Sequence, residues 1–92
     1  MTVSLTDAFV PAPDVVFREL DGEAVVLDLA GGTYFGLNAS GTRMWQLIQE
    51  HRELEPVAVA LAGEFDAPSA RIESDLLTFV SHLERKGLLI RA

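Results

Sequence analysis

Two histidines are the residues of this 92-residue chain best suited to acid–base chemistry or metal binding. His51 lies in a charged segment, HRELE, and His82 lies on the polar side of an amphipathic stretch. Neither has a carboxylate partner at the spacing of a metal-ligand set. The chain has no cysteine, which excludes disulfides, thiolate metal sites, iron–sulfur clusters and a cysteine nucleophile. We therefore expect no metal site, no cofactor and surface positions for both histidines.

The serines and glycines also lack the surroundings that catalysis or phosphate binding requires. No serine has the context of a nucleophile elbow, and Ser40 and Ser69 are explained as helix caps. The Gly31-Gly32 pair runs into another strand with no Lys-Ser or Lys-Thr after it, so it is a turn and not a phosphate-binding loop. The sequence offers no catalytic residue, and we expect a protein that is not an enzyme.

The charge balance argues against a nucleic-acid partner. Seven Lys and Arg against fourteen Asp and Glu give a net charge of -7, and the basic residues are scattered along the chain. Nucleic-acid binding draws much of its affinity from clustered basic side chains that neutralise phosphates. A small acidic DNA-binding regulator is kept as an alternative, and a salt-sensitive mobility shift would reveal it.

The length of the chain and the composition of its first residues predict a single domain with a short lead-in. Residues 1–13, which contain Pro11 and Pro13, are predicted to be an extended lead-in, and residues 14–92 a single domain. The first residues show no basic segment followed by an apolar core, and no apolar run approaches the roughly 20 residues that span a bilayer. We expect no signal peptide, no membrane partner and a cytoplasmic protein.

Turn residues divide the first half of the chain into three predicted strands. Asp21-Gly22 is a hairpin signal between strands at 15–20 and 24–29, because a tight turn of this type needs positive φ. Gly31-Gly32 then turns the chain into a third strand at 33–37. The pattern predicts an antiparallel meander.

Three amphipathic stretches in the second half are predicted to be helices. Asn38 or Ser40 caps the first, in which Trp45 points at the core. Ser69 is the predicted cap of the third helix, and Gly87 ends it in a left-handed conformation. The third helix carries a continuous apolar stripe of Ile72, Leu76, Phe79, Val80 and Leu83. The sequence thus predicts an α+β fold with a three-stranded antiparallel sheet followed by three helices.

The last predicted strand is a candidate binding surface. Residues 33–37 carry no Pro or Lys that would block an open sheet edge, where unpaired N–H and C=O groups can pair with another strand. Leu77 lies off the apolar stripe of the third helix, so it either lines a groove beside this edge or is a lone exposed leucine. An open edge can equally pair with a second copy, which leaves a generic interaction or dimerisation module as an alternative.

Three segments in order, GEAVVLDLAGGTYFGLN, SGTRMWQLI and DLLTFVSHLERKGLLI, resemble the PqqD-like family of peptide-recognition elements. These small domains bind the leader peptides of ribosomally made, enzymatically modified peptides. The resemblance covers about Val15 to Ile90 and implies a winged-helix-like fold, no catalytic activity and a leader peptide bound beside the third strand and third helix. The implied peptide-binding residues are Thr33, Tyr34, Phe35, Gly36, Leu37, Leu76, Leu77 and Val80.

Within that family, VVLDLAGGTYFGLNASGTRMW is similar to stand-alone proteins of the lasso-peptide branch, whose partner is a cysteine-protease-like leader peptidase. The resemblance implies an adaptor that presents a precursor peptide to such a peptidase or to another peptide-modifying enzyme. The pyrroloquinoline-quinone branch commonly has Asp-Gly after its first helix, where this chain has His51-Arg52-Glu53-Leu54. This departure counts against a chaperone for a radical SAM peptide-modifying enzyme but does not remove it, so it is kept as the alternative.

Overall fold

Five strands and three helices make up the computed structural model, which describes residues 2–92. They follow in the order β1 (Phe9–Pro11), β2 (Val15–Leu20), β3 (Glu23–Asp28), β4 (Thr33–Leu37), α1 (Ala39–His51), α2 (Leu54–Glu64), α3 (Ser69–Arg85) and β5 (Leu89–Arg91). The α+β class and the succession of three paired strands and three helices are confirmed. Within residues 2–92, every helix is too short or too polar to cross a bilayer.

The central sheet is antiparallel with strand order β2-β3-β4, as the turn signals predicted. Asp21 and Gly22 join β2 to β3 with φ values of 54° and 81°, and both are positive as a primed hairpin turn requires. In the register, Val26 lies opposite both Phe17 and Phe35, so one face of the sheet carries an apolar row across all three strands. β4 forms a sheet edge.

A second, two-stranded sheet pairs β1 with β5 and was not predicted. Phe9 lies opposite Arg91 in this ribbon, so part of the predicted lead-in is a paired strand. The Arg91 guanidinium donates to Asp7 at 2.9 Å and to Glu84 at 3.0 Å and lies 5.1 Å from the Phe9 ring centroid. These contacts join the start of the described chain to α3. Met1, at the start of the predicted lead-in, lies outside the described residues.

The core lies between the inner face of the sheet and the three helices. Trp45 of α1 is 1% exposed and stacks on Phe17 of β2, with ring centroids 6.2 Å apart and an interplanar angle of 10°. The predicted burial of Trp45 is therefore confirmed. The other completely enclosed large side chains come from nearly every element: Phe9, Val26, Leu47, Ile48, Leu54, Val57, Leu61, Leu76, Leu83, Leu88 and Leu89.

Two of the predicted helix ends are confirmed and one is wrong. Asn38 Oδ1 accepts a 2.9 Å hydrogen bond from the Gly41 N–H and caps α1. Gly87, at φ 76°, follows α3, and the Leu88 N–H donates to the Leu83 carbonyl at 2.9 Å. Ser69 does not cap α3, because it already lies within the helix and Pro68 occupies the cap position. The Pro68 carbonyl accepts from the Arg71 N–H at 3.0 Å and the Ile72 N–H at 3.1 Å, and the helix start has no side-chain cap.

Candidate functional site

An open cavity of about 530 Å³ lies between the end of β4 and the first half of α3. Phe35, Gly36 and Leu37 form one wall, and Phe79 of α3 lies across from them. The remaining wall residues come from the start of α1, the end of α2 and the first turns of α3: Asn38, Ser40, Gly41, Met44, Leu61, Phe65, Ala67, Ile72 and Asp75. Most of these side chains are apolar, so the cavity suits an apolar side chain of a bound molecule.

The turn from β4 into α1 explains why the cavity forms here. Asn38 stops the strand and caps the helix, which places Gly41 against the ring of Phe79. A Cβ atom at Gly41 would lie 3.3 Å from Phe79 Cε1 and 3.3 Å from Asn38 Oδ1. Because that distance is tighter than ordinary van der Waals contact, glycine is the residue that lets α3 approach α1 this closely.

The outer edge of β4 borders the same cavity. The sheet ends at this strand, so one side of its backbone lacks a partner strand among residues 2–92. Thr33, Tyr34 and Gly36 are exposed, with Tyr34 71% accessible, whereas Phe35 turns inward and is half-buried. The Phe35 ring lies 5.2 Å from the His82 ring and 5.7 Å from Lys86 Nζ of the α3 end.

The predicted site residues fall into two groups. Thr33, Tyr34, Phe35, Gly36 and Leu37 lie together on β4, as expected from their succession in one strand. The three residues predicted from α3 do not line the cavity.

Leu76 and Val80 have no exposed surface and pack in the core. Leu77 is half-buried on another face of α3, where it lines a shallow depression with Thr2 and Val3. A helix turns by about 100° per residue, so the residue that reaches the cavity beside Leu76 and Val80 is Phe79. Sequence reasoning placed Phe79 in the core stripe, because periodicity does not distinguish two buried faces of one helix. The sequence feature that indicates a site position for Phe79 is its aromatic ring on a helix face that also carries Asp75 and His82.

An ion pair fixes the α2 end of the cavity. Arg43 Nε lies 2.7 Å from Glu64 Oε1, and its Nη2 lies 2.8 Å from Oε2, so the contact is bidentate. The hydrogen bond from Arg43 lowers the pKa of Glu64. Glu64 ends α2 directly before Phe65, so the pair ties the cavity wall at Phe65 to α1.

Neither the histidines nor the carboxylates assemble into a metal centre within residues 2–92. No group of three or more His, Asp or Glu side chains there is arranged to hold an ion. His51 and His82 are both exposed, as predicted.

The chain is similar to a family of known proteins and to two solved structures. Residues 23–89 match the model of the family described as coenzyme PQQ synthesis protein D (PqqD). A structure of TbiB1 in complex with the TbiA(beta) leader peptide has 38% sequence identity and a TM-score of 0.81, covering 86% of this chain and 92% of that one. A lasso peptide synthetase B1 complexed with the leader peptide is 24% identical with a TM-score of 0.81, covering 90% of this chain and 98% of that one, and shows the same fold. No curated protein matches the chain.

Proposed function

Because this chain belongs to the PqqD family, we propose that it is a non-catalytic adaptor that binds the leader peptide of a ribosomally made precursor. The adaptor presents that precursor to a maturation enzyme. The similarity to TbiB1, which was solved with a leader peptide, extends over most of both chains and supports this function. A protein that acts on a newly made precursor belongs in the cytoplasm.

The observation that carries the proposal is the free edge of β4 beside an apolar cavity. An extended peptide added to such an edge gains main-chain hydrogen bonds, and pockets beside the edge select its side chains. Here Phe35 and Phe79 provide the apolar surface, and Gly36 leaves the edge without a bulky side chain. A short peptide that is ordered on binding would reach roughly micromolar to tens of nanomolar Kd, about -8 to -10 kcal/mol.

The maturation enzyme in this proposal is a cysteine-protease-like leader peptidase of lasso-peptide biosynthesis. The resemblance of residues 25–45 to that branch supports it, and the shared fold of a lasso peptide synthetase B1 is consistent with it. The test is the rate of leader removal from a lasso precursor by such a peptidase, with and without this chain. Acceleration is expected. No acceleration by the chain, together with modification of the same precursor by a radical SAM enzyme that needs it, would favour the alternative partner.

The leader-binding function is tested with two alanine variants of α3. Phe79 lines the cavity and Leu77 lies on another face, yet both side chains are half-buried, so they form a matched pair. We expect Phe79→Ala to weaken binding of a fluorescent TbiA(beta) leader peptide by roughly 5- to 30-fold in an anisotropy titration. Leu77→Ala should leave the Kd unchanged.

Absence of binding to the wild-type chain would count against leader recognition. Equal losses in the two variants would instead show that the peptide does not use this cavity. Melting curves of both variants identify any loss that comes from unfolding.

A further inference from the structure

One face of α3 lies beside the second half of β4, from Phe35 to Leu37. Asp75, Phe79, His82 and Lys86 are spaced by four, three and four positions, so they lie in one row. From Asp75 to Lys86 the row extends about 16 Å, and the five residues of β4 extend about 17 Å. A peptide strand added to the edge of β4 would therefore pass beside residues of this row.

The two ends of the row differ in charge. Asp75 lines the cavity near the α1 start, and Lys86 and His82 contact Phe35, the middle residue of β4. The carboxylate thus lies toward the end of β4, and the ammonium lies over the ring of the strand's middle residue.

The Lys86 cation over Phe35 has no carboxylate partner in the described part of the chain. Lys86 and His82 are absent from the ion pairs formed by residues 2–92, and Glu84 between them pairs with Arg91. Asp28 lies opposite Thr33 in the sheet, but its Oδ1 accepts the Ala30 N–H at 3.1 Å within the β3–β4 turn. In a chain with a net charge of -7, a free lysine over the ring of the site's own Phe35 is a candidate for binding an acidic ligand group.

We propose that Lys86, assisted by the His82 ring, determines specificity for an acidic residue of the bound peptide beside Phe35 of β4. Asp75, which lies 3.8 Å from the exposed Arg71 guanidinium, disfavours an acidic residue nearer the end of β4. The inference rests on the proposed leader-binding function and adds the charge pattern and orientation of the peptide. The charges are at the rim of the site and exposed, so each contributes a modest factor, about two- to fivefold in Kd.

Arg85 supplies the matched control. It is the cation next to Lys86 in sequence, but it lines the depression on the other face of α3 with Leu77. Lys86→Gln and Arg85→Gln change the net charge equally, so only Lys86→Gln removes a charge from the β4 side. Asp75→Asn tests the opposite end.

The experiment is a charge scan of the TbiA(beta) leader peptide on the full chain. Each peptide position is replaced in turn by Glu and by its neutral counterpart Gln, and the ratio of the two Kd values isolates charge. We expect Glu to bind about two- to fivefold tighter than Gln near one end of the bound segment. That preference should vanish in Lys86→Gln and persist in Arg85→Gln. Toward the other end Glu should bind more weakly than Gln, and Asp75→Asn should remove that penalty.

Three results overturn the inference. If the leader binds but the Glu-to-Gln ratio of Kd values is near one at every position, the proposed charge specificity is wrong and the adaptor function is unaffected. If Lys86→Gln and Arg85→Gln change the Glu-to-Gln ratio of Kd values equally, the preference for Glu comes from the net charge of the chain and not from Lys86. If no peptide binds the wild-type chain, both the adaptor function and this specificity are wrong.

Discussion

Trp45 is the residue that joins the sheet to the helices. Its ring is buried and stacks on Phe17, but its indole Nε1 has no hydrogen-bond partner within the described residues. A buried donor without a partner has a desolvation cost, whereas the surrounding contacts of a large ring contribute several kcal/mol. The packing of Trp45, and not its N–H group, therefore stabilises the fold.

We expect Trp45→Ala to lower the free energy of unfolding by about 3 to 5 kcal/mol, most of the stability of a domain of this size. Trp45→Phe keeps an aromatic ring against Phe17 and loses the unpaired N–H, so its cost should stay below about 1.5 kcal/mol. Thermal melting and urea unfolding measure both changes. An unchanged melting temperature for Trp45→Ala would contradict its place in the core.

At the scale of elements, local signals explain the sheet and the helix starts. Asp21-Gly22 specifies the hairpin through its positive φ values, and Asn38 specifies the start of α1 through its cap. The β1–β5 ribbon has no such signal, because its two three-residue strands lie at opposite ends of the sequence and no local turn or cap specifies their pairing. The β4 residues of the candidate site were likewise predicted from the sequence. The face of α3 that lies toward β4 was not predicted, because it depends on how the helix packs against the rest of the fold.

Leader binding should depend on the open edge of β4. Gly36 has open space around its Cβ position and an ordinary φ, so Gly36→Ala should fold and keep its N–H donor. Gly36→Pro removes that donor and distorts the strand, so it should weaken leader binding by at least about tenfold. Anisotropy titration of the TbiA(beta) leader into both variants measures the difference. If the proline variant stays folded and binds as tightly as the alanine variant, the peptide does not add to this edge.

The β1–β5 ribbon gives a prediction about pH. The Ser4 N–H and then the Arg91 guanidinium lower the pKa of Asp7 below its ordinary value of 3.8. Because the folded value is the lower one, Asp7 stabilises the fold fully above pH 3.8, and this contribution is lost as the pH falls through the folded value. Asp7→Asn should therefore lower the melting temperature at about pH 6 and have a smaller effect at about pH 2.5.

Asp75→Asn serves as the control for Asp7→Asn, because the exposed Asp75 lies 3.8 Å from Arg71 and contributes little. Thermal melts of the three proteins at both pH values provide the comparison. A constant difference between Asp7→Asn and the wild-type chain at both pH values would show that the Asp7 carboxylate does not stabilise the ribbon.

At the scale of the whole molecule, the charge and the open edge together favour a peptide partner. Three of the seven basic side chains, Arg43, Arg71 and Arg91, are in ion pairs, and the other four stand against a net charge of -7, which disfavours binding to phosphates. Strand addition, in contrast, depends on main-chain groups that carry no net charge. Leader binding should accordingly depend only weakly on salt, and a DNA mobility shift should be absent at physiological salt.

The last prediction separates an adaptor from a dimerisation module, since the same β4 edge can accept a peptide or a second copy. An adaptor should be a monomer near 10.0 kDa, or a weak dimer that dissociates, and the TbiA(beta) leader should convert it into a 1:1 complex. The physical reason is that one strand edge pairs with one partner strand, so leader and second copy compete for it. Size-exclusion chromatography with light scattering, with and without the leader, measures the mass directly. Gly36→Pro tests the shared edge, because it should weaken both the dimer and the complex. A stable dimer whose mass is indifferent to the leader would instead identify the chain as a dimerisation module.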